Sequence, residues 1–212
     1  DTLKLTRANF CKVRLCPMCS WRRSLKIFGQ VSKIMDYIEE NHNYKYIFLT
    51  LTVKNCYGEN LKDTLDHMTK AFNKMNQRKA FKQAIKGYFR SLEITYNKKE
   101  DTYHPHFHMI LAVNKNYFTD DRIYISQKKW TNLWKSSLKV DYTPIVDIRR
   151  LRENKGKEVA EVAKYTVKSD DFLIKDEKEN IKENITDKVV KTLDNALHRK
   201  RLIAFGFIFK DI

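Results

Sequence analysis

Apolar residues recur along this chain with two different periods, and these periods predict the order of its helices and strands. Spacings of three or four residues, typical of an amphipathic helix, begin at Trp21, Leu25 and Phe28 and return in later segments. Runs of β-branched and aromatic residues, typical of strands, separate them. The helical pattern predicts helices over residues 20–41, 59–75, 126–138 and 156–168. The strand pattern predicts strands over residues 44–53, 87–97, 102–113 and 143–151.

The order of these predicted elements favours an α+β fold. The polar tetrapeptide KKED separates two adjacent strands and predicts a hairpin. Hairpins with helices inserted between them favour an antiparallel β-sheet with helices on one face, a ferredoxin-like or RRM-like arrangement. The charged residues 170–188 are predicted to form a solvated connection, and the apolar end of residues 196–209 an edge strand. We therefore divide the chain into an N-terminal segment with its helix (residues 1–43) and a main domain (residues 44–212).

The composition is that of a folded and strongly basic protein. The 212 residues include 42 Lys and Arg against 26 Asp and Glu, which gives a net charge of +16. Such a surplus favours a polyanionic partner, most often nucleic acid, although a basic surface also serves solubility. No run approaches the roughly 20 apolar residues of a membrane span and no secretory signal opens the chain, so no membrane partner is expected. Because the chain does not begin with Met, we expect residues upstream of Asp1.

Three histidines lie on alternate positions of one predicted strand, in the stretch TYHPHFHMILAV. Residues two apart share a strand face, so His104, His106 and His108 point the same way. Imidazoles placed like this can chelate a divalent cation, and Glu93 on the partner strand of the hairpin can add a carboxylate. Surface histidines with local hydrogen bonds are the alternative. The alternating pattern beside a carboxylate favours a metal site, in which the third ligand is Glu93 or His104.

The predicted helix over residues 156–168 carries a second set of reactive side chains. Glu161 and Tyr165 are four residues apart and therefore share one helix face, while Lys164 and Lys168 flank the tyrosine. A phenol is mostly protonated at neutral pH, and neighbouring cations favour the nucleophilic phenolate. Taken alone, however, this segment also fits an amphipathic helix with a half-buried tyrosine and solvated lysines.

The N-terminal cysteines have the spacing of a zinc knuckle. Cys11, Cys16 and Cys19 form a C-x4-C-x2-C pattern around CPMC. A tetrahedral zinc ion needs a fourth ligand, for which Cys56 and His42 are candidates within the chain. Three free buried thiols are the alternative. Disulfides are not expected in the reducing cytoplasm, where we place the protein.

Together, these stretches resemble the initiator proteins of rolling-circle plasmid replication, members of the HUH endonuclease superfamily. FLTLTV, HPHFHMI and EVAKYTVKS are similar to the first, second and third motifs of those proteins, in the same order. FCKVRLCPMCSWRR resembles the N-terminal cysteine segment of one branch, and ALHRKRLIAFGFIF resembles that branch's C-terminal end. A His-hydrophobic-His triplet alone is a weak signal, but three ordered motifs with the cysteine segment are specific.

The resemblance implies an HUH fold and a metal-dependent, site-specific DNA nickase and strand transferase. Tyr165 would attack a phosphate of single-stranded or hairpin origin DNA, become linked to the 5′ phosphate and release a 3′ hydroxyl that primes synthesis. His106, His108 and Glu93 would hold Mn²⁺ or Mg²⁺ against the scissile phosphate. Glu161 would act as general base for a water in the terminating cleavage. A salt bridge from Glu161 to a neighbouring lysine is the alternative.

The resemblance also implies further ligands and partners. The branch pattern has another cysteine, which here would precede Asp1, and a structural Zn²⁺. Lys164, Lys168, Arg149 and Arg150 are expected to contact DNA phosphates, and a host helicase with its replication machinery is the expected protein partner. A transposase or conjugative relaxase shares the histidine motif, but the cysteine segment and the single tyrosine disfavour both. A non-catalytic, zinc-containing nucleic-acid-binding module is the alternative from a different class.

Overall fold

A computed structural model of the protein describes residues 9–151, 156–163 and 183–212; for residues 156–158 it describes the backbone alone. The helices are α1 (Pro17–Asn41), α2 (Leu61–Asn76), α3 (Lys79–Ala84), α4 (Gln127–Leu138), α5 (Gly156–Ala163), α6 (Glu183–Leu197) and α7 (Ile208–Asp211), with a 3-10 turn at Gly58–Asn60. The strands are β1 (Tyr44–Thr52), β2 (Cys56–Tyr57), β3 (Ile85–Asn97), β4 (Thr102–Asn114), β5 (Val146–Arg150) and β6 (Ile203–Phe207).

The strands form one six-stranded sheet in the order β5-β1-β4-β3-β6, with the short β2 paired to β4. Every pairing among these strands is antiparallel. The long β3–β4 hairpin turns at the predicted KKED segment, and the strands β1, β3, β4 and β5 with α2 and α4 between them follow the ferredoxin-like order. The predicted α+β fold with an antiparallel sheet is confirmed.

Helices cover both faces of this sheet, so the expectation that they lie on one face is wrong. On one face α2, α4 and α6 bury Leu65, Trp134 and Leu193 in a core that includes Phe107 of β4. On the other face α1 and α5 pack on a second core. The physical reason lies in the central strands, whose apolar residues point to both sides and need a cover on each. The helices inserted between the strands, α2 and α4, do share one face as expected, together with α6.

The C-terminal part of the chain corrects one prediction and confirms another. Residues 183–188, predicted as part of a solvated connection, are the first turns of α6. Although its sequence is rich in charged residues, the helix has buried side chains at helical spacing, which are Thr186, Val189, Leu193, Ala196 and Leu197. The remainder of that connection, residues 170–182, lies outside the described residues. β6 pairs with β3 and forms the predicted edge strand.

α1 is long, and its buried face joins it to the sheet. It begins at Pro17. Proline is favoured at the first position of a helix because an N–H at that position would have no hydrogen-bond acceptor within the helix. The hydroxyl of Tyr46 in β1 donates to the carbonyl of Met35 at 3.0 Å. The division between residues 43 and 44 stays a prediction. Among the described helices, none is both long and apolar enough to cross a membrane.

Two glycines provide a matched test of this packing. A Cβ added at Gly206 of β6 would lie 2.2 Å from the ring of Tyr88, which is itself buried against other aromatic rings. Gly206→Ala should therefore lower the free energy of unfolding by about 1–3 kcal/mol. A Cβ added at Gly29 of α1 meets nothing within 4 Å, so Gly29→Ala should raise that free energy by about 0.5–1 kcal/mol. Urea unfolding measures both changes, and a Gly206→Ala protein as stable as wild type would contradict the described β3–β6 contact.

Candidate functional site

Strand register brings one carboxylate and two imidazoles together on the sheet face covered by α1 and α5. His106 of β4 lies opposite Glu93 of β3, and His108 lies two residues further along the same face. The Glu93 Oε2 atom is 3.1 Å from His108 Nε2 and 3.7 Å from His106 Nε2. All three side chains are buried, and their ligand atoms lie within 4.8 Å of one another. The sequence-predicted metal ligands therefore converge.

The outer nitrogen of each imidazole has its own partner. His106 Nδ1 donates to the carbonyl oxygen of His104 at 3.1 Å, since a carbonyl can only accept. His108 Nδ1 lies 3.1 Å from the hydroxyl oxygen of Thr50 in β1. In the neutral form of His106, this Nδ1 proton leaves the lone pair on Nε2, the atom that faces Glu93. Such a partner on the far nitrogen fixes the tautomer and ring orientation that a metal ligand needs.

The electrostatics of this trio fit a cation. Burial alone would raise the pKa of Glu93, but its hydrogen bonds with His106 and His108, and their positive charge, hold that pKa well below its usual range. Glu93 is thus a carboxylate, the form that binds a metal. A divalent cation bound here would take the place of the imidazole protons that face Glu93, because a histidine binds a metal through a deprotonated nitrogen. N and O donors suit Mn²⁺ or Mg²⁺.

His104 lies beside the trio and is not part of it. Its ring centroid is 5.4 Å from that of His106, and its ligand atoms do not join the cluster formed by Glu93, His106 and His108. Burial, followed by the charge of His106, lowers the pKa of His104. The geometry therefore favours Glu93 over His104 as third ligand.

α5 packs on the same sheet face as the trio. Val159, Val162 and Ala163 of α5 belong to the core that contains Phe48 of β1 and Ile110 of β4. Phe48 in turn contacts His108, with ring centroids 5.5 Å apart.

Of the side chains predicted on this helix, Glu161 is half-buried on α5. Lys164, Tyr165 and Lys168 lie outside the described residues. The catalytic and DNA-binding roles of all four stay predictions.

The three N-terminal cysteines also converge. Their sulfur atoms lie within 4.8 Å of one another, and Cys11 Sγ is 3.5 Å from Cys19 Sγ. Cys16 is the N-cap residue of α1, and a hydrogen bond from the Cys19 backbone N–H lowers the pKa of the Cys16 thiol. Three thiols with one favoured as thiolate fit Zn²⁺.

Neither proposed fallback for the fourth zinc ligand, Cys56 or His42, joins this cluster of described residues. Each lies in a different element. Cys56 is on β2 beside Tyr103, and His42 caps the far end of the 25-residue α1.

The chain is similar over nearly its whole length to proteins of one family. Residues 2–212 match the sequence profile of the family described as "Replication protein". The chain belongs to this replication-protein family. A "Protein rep" of Bacillus sp is 46% identical over 227 residues, which cover 99% of this chain and 72% of the relative. Those of Bacillus amyloliquefaciens and Streptococcus pneumoniae serotype 2 are 45% and 43% identical over 230 and 217 residues, which cover 99% and 100% of this chain.

The chain spans 65% and 64% of the length of those last two relatives. No solved structure matches it. The resemblance to the replication initiators that the motifs indicated is confirmed at the level of the family.

Several arginines of this replication protein have structural partners that the sequence did not reveal. Arg14 donates to the carbonyl oxygen of Leu197 at the end of α6. Arg23 donates to the carbonyl oxygens of Val13 and Cys19 at 2.5 and 3.2 Å. These bonds tie the cysteine segment to α1 and α6.

The two arginines predicted on β5 lie on opposite faces of the sheet. The Arg149 guanidinium is 4.8 Å from the centre of the Phe48 ring, on the face of the trio, and pairs with Asp147 at 2.9 Å. The Arg150 guanidinium is 4.8 Å from the centre of the Phe118 ring. Because adjacent strand residues point to opposite sides, only Arg149 shares a face with His108. The DNA contacts of both residues stay predictions.

Substitutions in each cluster should separate the two metal sites. Glu93→Gln removes the carboxylate charge and should lower Mn²⁺ affinity at least about 10-fold, and Thr50→Val, which removes the partner of His108 Nδ1, about 10-fold. Both variants should keep their zinc. Cys19→Ser should lose zinc and keep the Mn²⁺ affinity of wild type. Titration calorimetry and elemental analysis measure the two quantities, and wild-type Mn²⁺ affinity in Glu93→Gln would rule the trio out as the divalent site.

Proposed function

We propose that this replication protein initiates rolling-circle replication of a plasmid by nicking one strand of origin DNA and later rejoining it. The observation that supports this most is the convergence of Glu93, His106 and His108 on the sheet face against which α5 packs. The last described residue of α5, Ala163, precedes Tyr165 by two positions in the sequence. A phosphoryl transfer to tyrosine requires that a cation and a phenol meet at one phosphate, and in this proposal the phenol is that of Tyr165.

The nicking step is a transesterification. When bound by the trio, a divalent cation would polarise the scissile phosphate and offset the charge of its transition state. The phenol of Tyr165 loses its proton to solvent water, and its oxygen attacks the phosphorus. The P–O3′ bond breaks, and the departing oxygen takes up a proton to become the 3′ hydroxyl. The chain then holds the 5′ phosphate as a phosphotyrosine. Before the attack, the positive charges of Lys164 and Lys168 stabilise the Tyr165 phenolate.

Rejoining reverses this chemistry, and termination uses water in place of a hydroxyl. Glu161 lies on α5, where it is half-buried and therefore open to water. In the sequence it precedes Tyr165 by four residues, the spacing of about one helical turn. Its carboxylate takes the proton of a water that attacks a phosphodiester at the second cleavage, so that a single tyrosine completes one round.

The substrate in this proposal is single-stranded or hairpin origin DNA, which the net charge of +16 attracts. Arg149, whose side chain is 54% exposed, would contact a strand that crosses the trio's face. A phosphate contact from Arg150 requires DNA that reaches the opposite face. A host helicase and its replication machinery, acting in the cytoplasm, complete the proposed setting.

A covalent adduct tests the proposal. An origin oligonucleotide labelled at its 3′ end stays with the protein after cleavage, because the 5′ phosphate is the linked group. With Mn²⁺, the wild-type protein should give a labelled band at the protein's position on a denaturing gel. Tyr165→Phe and added chelator should each abolish the band, whereas Tyr124→Phe, which removes the hydroxyl of an exposed tyrosine on the opposite side of the sheet, should keep it. If wild type forms no adduct, the nicking proposal is contradicted and the protein is a non-catalytic DNA-binding module.

The role of Glu161 has its own measurement. Glu161→Ala should form adduct at the wild-type rate, because the carboxylate takes no part in the first attack. With a second origin oligonucleotide present, loss of the adduct requires the 3′ hydroxyl that the second cleavage releases, and it should slow by about 100-fold, the lower range for a lost general base. Time courses of adduct formation and loss measure the two steps separately. Equal rates of loss in Glu161→Ala, Glu161→Gln and wild type would remove this residue from the mechanism.

A further inference from the structure

Three large apolar side chains lie on the outward side of the N-terminal half of α1. Met18, Trp21 and Leu25 are 54%, 52% and 53% exposed. They follow the spacing i, i+3, i+7 and so form one continuous stripe. Isolated exposed apolar residues are ordinary, but a surface helix normally carries polar residues along the whole of this side. We call Met18, Trp21 and Leu25 the α1 stripe.

The charges around the α1 stripe are of one sign. Residues 9–35 contain no Asp or Glu, and their basic residues are Lys12, Arg14, Arg22, Arg23, Lys26 and Lys33. The first turn of α1 lacks the acidic residue that the positive end of a helix favours. Arg22 and Lys26 next to the stripe are exposed. The acidic residues of this helix lie at its other end, where Asp36, Glu39 and Glu40 are found.

The stripe lies on the helix that covers the trio's face of the sheet. α1 leads into β1 after only two residues, and Tyr46 near the start of β1 bonds to Met35 near the end of α1. The helix and the strand therefore run in opposite directions. The N-terminal half of α1 extends toward the end of β1 where Thr50 and Thr52 lie opposite His108 and His106.

We infer that the α1 stripe, with Arg22 and Lys26, is a platform on which bases of single-stranded DNA stack beside the nicking site. This rests on the proposed function. Unpaired bases offer apolar faces and their backbone offers negative charge, and the stripe with its flanking cations complements both. In duplex DNA the faces of the bases are stacked inside the helix and cannot contact the stripe. An apolar protein partner would not provide negative charge to pair with the basic residues beside the stripe.

The tryptophans of this chain give a direct optical test of stacking. Of the three, Trp130 and Trp134 are 0% exposed and only Trp21 reaches solvent. Titration with an oligothymidylate about 20 nucleotides long should quench the emission of wild type, because a base stacked on Trp21 contacts its indole. In Trp21→Ala, the emission of the two buried tryptophans should not change. Emission of wild type that is unaffected by saturating single strand would overturn the inference.

Affinity measured by anisotropy of a labelled strand provides the second test. Trp21→Ala should weaken binding about 5- to 20-fold, as expected for one lost base stack, and Trp21→Phe, which keeps an aromatic face, should stay within about threefold of wild type. The matched control is Tyr37→Ala, which removes a 46% exposed aromatic side chain at the acidic end of the same helix and should have no effect. The variant Arg22→Gln/Lys26→Gln should reduce the slope of log affinity against log salt by about 1.4, from about 0.7 per phosphate contact.

The adduct assay separates a failure of this inference from a failure of the proposed function. Trp21→Ala should need more DNA for half-maximal adduct formation and reach the wild-type rate at saturation. If wild type forms the adduct and Trp21→Ala binds DNA with the same affinity as wild type, the stacking platform is rejected and the proposed nicking function is not. A Trp21→Ala protein that is monomeric where wild type is a dimer, with unchanged DNA affinity, would assign the stripe to a second copy and reject the inference.

Discussion

The alternation of side chains along β4 is the constraint on which the rest of the molecule depends. Phe107 points into the core beneath α2 and α4, where its ring lies 4.2 Å from the buried Arg90 guanidinium and contacts Trp134. His106 and His108 on either side of it consequently point to the opposite face. A slip of one residue against β1 or β3 would turn both imidazoles into that core and turn Phe107 to the face now occupied by the trio. Packing on one side of the sheet thus fixes the geometry on the other.

The trio is a polar cluster set into the edge of a hydrophobic core. Glu93 is buried, yet its hydrogen bonds with the two imidazoles and their charge keep it ionised. Thr50 and the carbonyl of His104 orient the rings from behind. Such buried charges stabilise a fold poorly by themselves and are usually retained for function. α1 and α5 complete the core on the same face of the sheet as the trio. α5 is the segment that precedes Tyr165, and α1 carries the α1 stripe.

The sequence allowed prediction of those features that depend on local periodicity. Glu93 could be paired with His106 because a four-residue turn between two alternating strands leaves little freedom in register. The helix α6 was missed in part because its buried positions are spaced among charges.

Contacts between residues far apart in the sequence could not be predicted, for a different reason. Arg14 bonds to a carbonyl 183 residues away, and nothing in its neighbourhood distinguishes it from an arginine that contacts phosphate. Thr50 lies in the Thr-Leu-Thr of the first motif, but its place beside His108 follows only from the β1–β4 register. The second helical layer was missed because continuous apolar strands indicate burial without showing what covers each face.

The central claim is that a cation held by Glu93, His106 and His108 and the phenol of Tyr165 meet on one face of the sheet. Anomalous diffraction from crystals grown with Mn²⁺ and a bound single strand tests this most directly. The account predicts an anomalous peak that appears only above the manganese absorption edge, in coordination contact with Glu93 Oε2 and both Nε2 atoms, and the Tyr165 oxygen directed at the phosphate beside it. A manganese peak elsewhere, or a Tyr165 side chain on the face of α2 and α4, would contradict it.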